Sequence, residues 1–137
     1  MLQDAADAMV RFQDRQTGMF WQVVDKPGVP GNYLETSGSA LFAYAMLKGV
    51  RLGVLPARYA QFGKKAFYGT CDNRLGVDPD GHLQLSGICL VAGLGGEAHR
   101  DGSLAYYFSE PVVENDAKGV GPLLLAYTEL LAEQANR

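Results

Sequence analysis

Apolar residues recur at helical spacing from the start of the chain. Leu2, Ala5, Ala6, Met9, Val10 and Phe12 predict a helix over residues 2–13, with Gln3, Asp4, Asp7 and Arg11 on its polar side. Gly18 stops it. The run GMFWQVVD (18–25) predicts a short extended segment, and DKPGVPGN (25–32), with two prolines and two glycines, predicts a turn-rich loop. A second helix begins near Thr36 or Ser37, either of which can cap it. Over residues 37–52 its apolar groups (Ala40, Leu41, Phe42, Tyr44, Ala45, Met46, Leu47 and Val50) cover nearly the whole circumference. A helix apolar all round is expected to be buried on all sides. Gly53 ends it, and Pro56 suits the first turn of a third helix over about 56–70. That helix is one-sided, with Tyr59, Phe62, Ala66 and Phe67 opposed to Arg58, Gln61, Lys64 and Lys65.

Between 74 and 110 the pattern is irregular. RLGVDPDGHLQLS (74–86) predicts a hairpin turning at Asp80-Gly81, and the stretch beyond it is apolar, then glycine-rich, then polar. A last helix, about 120–134, carries Val120, Leu123, Leu124, Tyr127, Leu130 and Leu131, with Pro122 in its first turn. Four helices and little strand make the fold class mainly α, with long loops. A buried helix followed by an amphipathic one is the inner–outer alternation that a helical barrel or solenoid needs. A long loop with little helix inside a compact domain is often functional.

Composition narrows the picture. A chain of 137 residues suits one domain or a piece of a larger one. The net charge is −3 and the basic residues (Arg51, Arg58, Lys64, Lys65, Arg74) are dispersed, which argues against nucleic acid and against a polybasic membrane surface. No apolar run approaches the ~20 residues that span a bilayer, and MLQDAADAMVRFQD is not patterned like a signal peptide. Cys71 and Cys89 stand alone and are expected as reduced, packed thiols.

Candidate chemistry is diffuse. Paired carboxylates serve glycoside hydrolysis, and Asp25, Glu35, Asp101, Glu110, Glu114 and Asp116 are available. Glu35 precedes the buried helix, where a carboxylate is favoured electrostatically, so a capping role competes with a chemical one. Asp101 can equally hold its own turn. GLGG (93–96) permits close backbone approach, as a tight loop or as the lining of a sugar pocket, but it is not a nucleotide fingerprint. His82 and His99 share no metal motif, and no metal is expected. No serine sits in GxSxG. Phe20, Trp21, Tyr33, Tyr106, Tyr107 and Phe108 lie mostly outside the helices, where they can stack on sugar rings or plug the core.

Several motifs in order carry a resemblance. GMFWQVVDKP followed by NYLETSGSALFAYAMLKGVRLG resembles the glycoside hydrolases of families 105 and 88, the unsaturated rhamnogalacturonyl and glucuronyl hydrolases, with their G-x-W-x-Q-V-x-D segment and N-Y-x-E-x-S-x-S-A helix. ICLVAGLGGEAHRDGSLAYYFSEPVVENDAKGVGPLLLA resembles that family's closing stretch. The likeness runs from roughly residue 8 to residue 130.

The resemblance implies an (α/α)6 barrel, of which residues 1–137 supply about a third as a C-terminal fragment of a single domain. It implies release of an unsaturated uronic acid from pectin- or glycosaminoglycan-derived oligosaccharides by hydration of a vinyl ether, with no metal or organic cofactor. The family's catalytic aspartate and its main His, Trp and Arg contacts lie upstream of the G-x-W-x-Q-V segment. No catalytic residue is therefore carried over, and the chain alone is expected to be inactive. Gly95, Gly96, Arg100, Tyr106 and Tyr107 are the expected substrate-binding residues, lining one wall of the pocket. The apolar circumference of the 37–52 helix implies association with a second copy or with the rest of the barrel. Two other readings are a non-catalytic carbohydrate-binding or interaction module, and a stand-alone hydrolase using Glu35, Asp101 or Glu114. Enzymes of this kind occur in cytoplasm and periplasm alike. The compartment stays open, with cytoplasm favoured.

Overall fold

In the computed structural model, which describes residues 1–97 and 100–135, the apolar run at 37–52 forms the central helix. In chain order the elements are α1 (Leu2–Phe12), β1 (Phe20–Trp21), β2 (Leu34–Glu35), α2 (Thr36–Arg51), α3 (Tyr59–Arg74), β3 (Leu75–Val77), β4 (Leu83–Leu85), β5 (Ile88–Cys89), α4 (Leu104–Ser109), β6 (Val112–Val113) and α5 (Ala117–Ala135). α2 packs between α3 and α5. Small residues set how closely they approach: Ala40 and Ala43 of α2, Ala66 of α3 and Ala126 of α5 are fully buried. Gly69 of α3 lies so near the preceding loop that an added Cβ would stand 1.7 Å from the Thr17 carbonyl oxygen. Tyr59, Met46, Phe20 and Ile88 fill the remaining core.

The strands form antiparallel pairs. β1 pairs with β2 (Phe20 opposite Glu35, Trp21 opposite Leu34), β3 with β4, and β5 with β6 (Ile88 opposite Val113). The β3–β4 pair is the hairpin expected at Asp80-Gly81, with Gly81 at φ +87° in its turn. Among the described residues no helix is long and apolar enough to cross a membrane.

Five expectations change. α2 is not buried on all sides: Leu41 is 51% exposed. Its cap is neither Thr36 nor Ser37 but the Glu35 side chain, which accepts from the backbone N–H groups of Ser37 and Gly38. The third helix starts at Tyr59, after a turn closed by the Tyr59 N–H on the Pro56 carbonyl, and runs on to Arg74. The tract after GLGG contains the short helix α4, capped by the Ser103 hydroxyl on the Tyr106 N–H. Pro122 sits one turn deeper than expected, because α5 already begins at Ala117.

The Arg51 guanidinium, at the end of α2, donates two hydrogen bonds to the Glu129 carboxylate of α5, at 2.5 and 3.0 Å. Glu129 is 8% exposed, and these bonds hold its carboxyl below the ordinary glutamate value. Arg51→Leu leaves a buried carboxylate without its partner. The expected cost is about 2 kcal/mol, at the low end for a broken buried pair because Arg51 itself is half exposed. A group whose folded pKa is depressed stabilises above its unfolded value, and that contribution is lost as the pH falls through the folded one. Chemical denaturation of both proteins at neutral pH and in acid is expected to show the difference shrinking on acidification.

Candidate functional site

β1 and β2 position a cleft at the start of α2. Period-2 alternation sends Phe20 into the core, 2% exposed, and Trp21 to the opposite face. The register sets Phe20 against Glu35. The Phe20 N–H donates to Ser39 Oγ at 2.9 Å, and that hydroxyl donates to the Glu35 carbonyl. Glu35, 5% exposed, joins three elements. Oε1 accepts from the Ser37 N–H (3.0 Å), the Ser37 hydroxyl (2.7 Å) and the Cys89 N–H of β5 (3.0 Å), and Oε2 accepts from the Gly38 N–H (2.6 Å). The Thr36 N–H donates to the Gly87 carbonyl alongside. The carboxylate thus pins the β5–β6 ribbon to the start of α2.

The resulting cavity, of about 400 Å³, has Phe42, Trp21 and Val24 among its apolar walls, Gln22 and Ser37 as neutral polar groups, the Cys89 thiol, and Glu35 and Lys118 as its charged groups. Gln22 donates to Cys89 Sγ at 3.3 Å, and Lys118 Nζ donates to Asp116 at 2.7 Å. Burial raises the Asp14 carboxyl, but bonds from Thr17 and Gln16 more than offset this and leave it below its ordinary value. Trp21 also borders a second cleft of about 580 Å³, where Arg11 and Arg15 stand.

The five expected contact residues fall together in another place. Gly95 and Gly96, both exposed and at φ +69° and +72°, form a turn closed by paired backbone bonds between Gly95 and Arg100. Arg100 faces Glu110 at 3.4 Å. Tyr106 donates to the Gly93 carbonyl, and its ring lies 5.0 Å from that of Tyr107. Burial, followed by Glu110, raises the Tyr106 phenol. The lining of the 400 Å³ cavity includes residues 89–92 but none of these five. His99 lies outside the described residues.

Among the carboxylates, Asp101 is exposed and accepts from the Ser103 N–H at the start of α4. That bond, with the Ser103 hydroxyl's, lowers its pKa. Glu114 is exposed and accepts from Gln84. Asp78, Asp80 and His82 bring ligand atoms within 4.8 Å of one another at the hairpin tip. There Asp78 already accepts from the Asp80 and His82 N–H groups, which holds the turn. Cys71 and Cys89 are free thiols. Sequence reasoning gave Trp21 only as one aromatic among several and did not single out Lys118. In the family pattern G-x-W-x-Q-V-x-D, Phe20 takes the tryptophan's place and Trp21 follows it.

Residues 1–134 match the family model Glycosyl Hydrolase Family 88, and the chain belongs to that family. It is 49% identical over 122 residues to Protein Atu3128 of Agrobacterium fabrum and, equally, to the 24.9 kDa protein in the picA locus of Rhizobium radiobacter, covering 85% of this chain and 52% of each relative. Among solved structures it superposes on a Clostridium acetobutylicum glycoside hydrolase from family 105 (C. acetobutylicum ATCC 824), with a TM-score of 0.87 and 47% identity, over 92% of this chain and 35% of that one. A possible family-105 member from Salmonella enterica gives a TM-score of 0.75 at 28% identity, covering 94% of this chain and 30% of that one. The chain spans about half the length of the curated relatives it matches and about a third of the solved structures. The fold is accordingly about one third of an (α/α)6 barrel.

Proposed function

We propose that this chain is one wall of the active site of a glycoside hydrolase. The enzyme releases unsaturated uronic acid from pectin- or glycosaminoglycan-derived oligosaccharides by hydrating the vinyl ether, and the chain alone is inactive. What carries the reading is the 47% identity to a family-105 hydrolase over 92% of the chain. The local chemistry supports inactivity. A general acid needs a proton within hydrogen-bond reach of substrate. The carboxylate lining the 400 Å³ cavity, Glu35, accepts four internal hydrogen bonds. Gly95, Gly96, Arg100, Tyr106 and Tyr107 are proposed to approach substrate once the barrel is closed, and the rest of the barrel is the proposed partner.

The test is loss of the unsaturated uronide's ultraviolet absorbance, with an unsaturated pectin disaccharide as substrate. No loss is expected with this chain alone, and loss is expected once the upstream part of the barrel is restored. Turnover by the isolated chain overturns its inactivity, and absence of turnover from the restored barrel overturns the reaction.

A further inference from the structure

The cleft beside Trp21 has the composition of a site for an acidic sugar. Its volume, about 400 Å³, falls within the range of small-ligand sites, roughly 300–1,000 Å³. Its two charged linings are unequal as contacts. The Glu35 carboxylate is 5% exposed and its oxygens are taken by four internal donors. The Lys118 side chain is 51% exposed, and Asp116 occupies one of its donors. An ammonium has three, so two remain for an incoming anion. Opposite charge on a ligand is thus met by Lys118, and a like-charged ligand finds nothing in the lining to pair with.

The apolar part of the lining fits the other face of a sugar. A pyranose presents a C–H surface that packs on an aromatic ring, and the Trp21 indole stands in the cleft wall, its backbone paired with Leu34. The second cleft bordering the indole extends the surface beyond a single sugar unit.

From this geometry we infer that Trp21 and Lys118 form a subsite for an acidic sugar residue of an oligosaccharide, Trp21 stacking on the ring and Lys118 pairing with its carboxylate. The inference rests on the proposed glycosidase reading and adds a specificity-determining pair to it.

Trp21 is the single tryptophan of the chain, so its fluorescence reports binding in the two clefts it borders, and Lys118→Met tells them apart. The purified chain is titrated with saturated digalacturonate and with neutral galactobiose, neither of which carries a double bond to hydrate. A saturable change in emission is expected with digalacturonate and a much weaker one with galactobiose. Lys118→Met is expected to weaken digalacturonate binding by roughly tenfold, the usual scale for one charge-assisted hydrogen bond, while Lys118→Arg retains it. Equal response to the two sugars, no response to either, or undiminished binding by Lys118→Met overturns the subsite. The readout is independent of turnover. Absent binding with hydrolysis by the restored barrel removes the subsite alone, and binding without that hydrolysis removes the proposed reaction alone.

Discussion

Glu35→Ala is expected to lower stability by about 3 kcal/mol, through loss of a helix cap and of acceptors for buried donors. Three backbone N–H groups, those of Ser37, Gly38 and Cys89, lose their acceptor at once. The first two belong to the first turn of α2, where water can replace part of the loss. The Cys89 N–H is enclosed between β5 and α2, and an unsatisfied buried donor bears the full desolvation penalty. For a chain of this size the thermal midpoint is expected to drop by ~10 °C. Glu35→Gln is expected to fall between the two proteins, since the amide keeps one acceptor oxygen and turns an NH2 toward groups that are themselves donors. Thermal melts followed by circular dichroism check both. A midpoint for Glu35→Ala equal to the parent's contradicts the structural role and returns Glu35 to the candidate acids.

The helices were legible because their signal is local. α1 and α3 each present one apolar stripe, and α5 repeats leucines at helical spacing. α2 was legible as a helix but not in its environment: an apolar circumference reveals a wish to be covered, not what covers it, and Leu41 stays half exposed. The helix α4 escaped because six residues between a glycine-rich turn and Pro111 give no periodicity to read. Its start depends on the hydroxyl of Ser103, a residue equally at home in a loop.

The cleft was less legible, for a different reason. Trp21, Glu35, Cys89 and Lys118 come from four separate segments. What joins them is pairing register: Phe20 opposite Glu35 turns Trp21 outward, and the Cys89 N–H on Glu35 brings the β5–β6 ribbon alongside. Alternation within the Phe-Trp pair hinted at opposite faces, but nothing in the sequence says which face becomes a wall. The GLGG tract was read as a tight loop or as the lining of a sugar pocket, and in the structure Gly95 closes on Arg100.

The isolated chain is expected to associate at micromolar concentration, because an apolar groove on its surface is open to water. Leu75, Leu83, Leu124 and Tyr127 line a groove of about 680 Å³ between α3, α5 and the β3–β4 hairpin. Leu83 is 71% exposed and Leu124 58%. Such contiguous apolar surface marks an interaction site. The proposed occupant is the rest of the barrel, of which this chain spans only part: it covers 35% of the family-105 structure. Without it, a second copy is the nearest apolar surface. Light scattering is expected to give a mass above 14.8 kDa for the chain alone, and a monomeric mass once the upstream helices are restored. Leu124→Lys places a charge in the groove without disturbing the core. Burying that charge is costly, and association is expected to weaken by roughly tenfold or more. A monodisperse monomer from the unmodified chain refutes the association. Unchanged association by Leu124→Lys places it on another face, such as the one carrying Leu41.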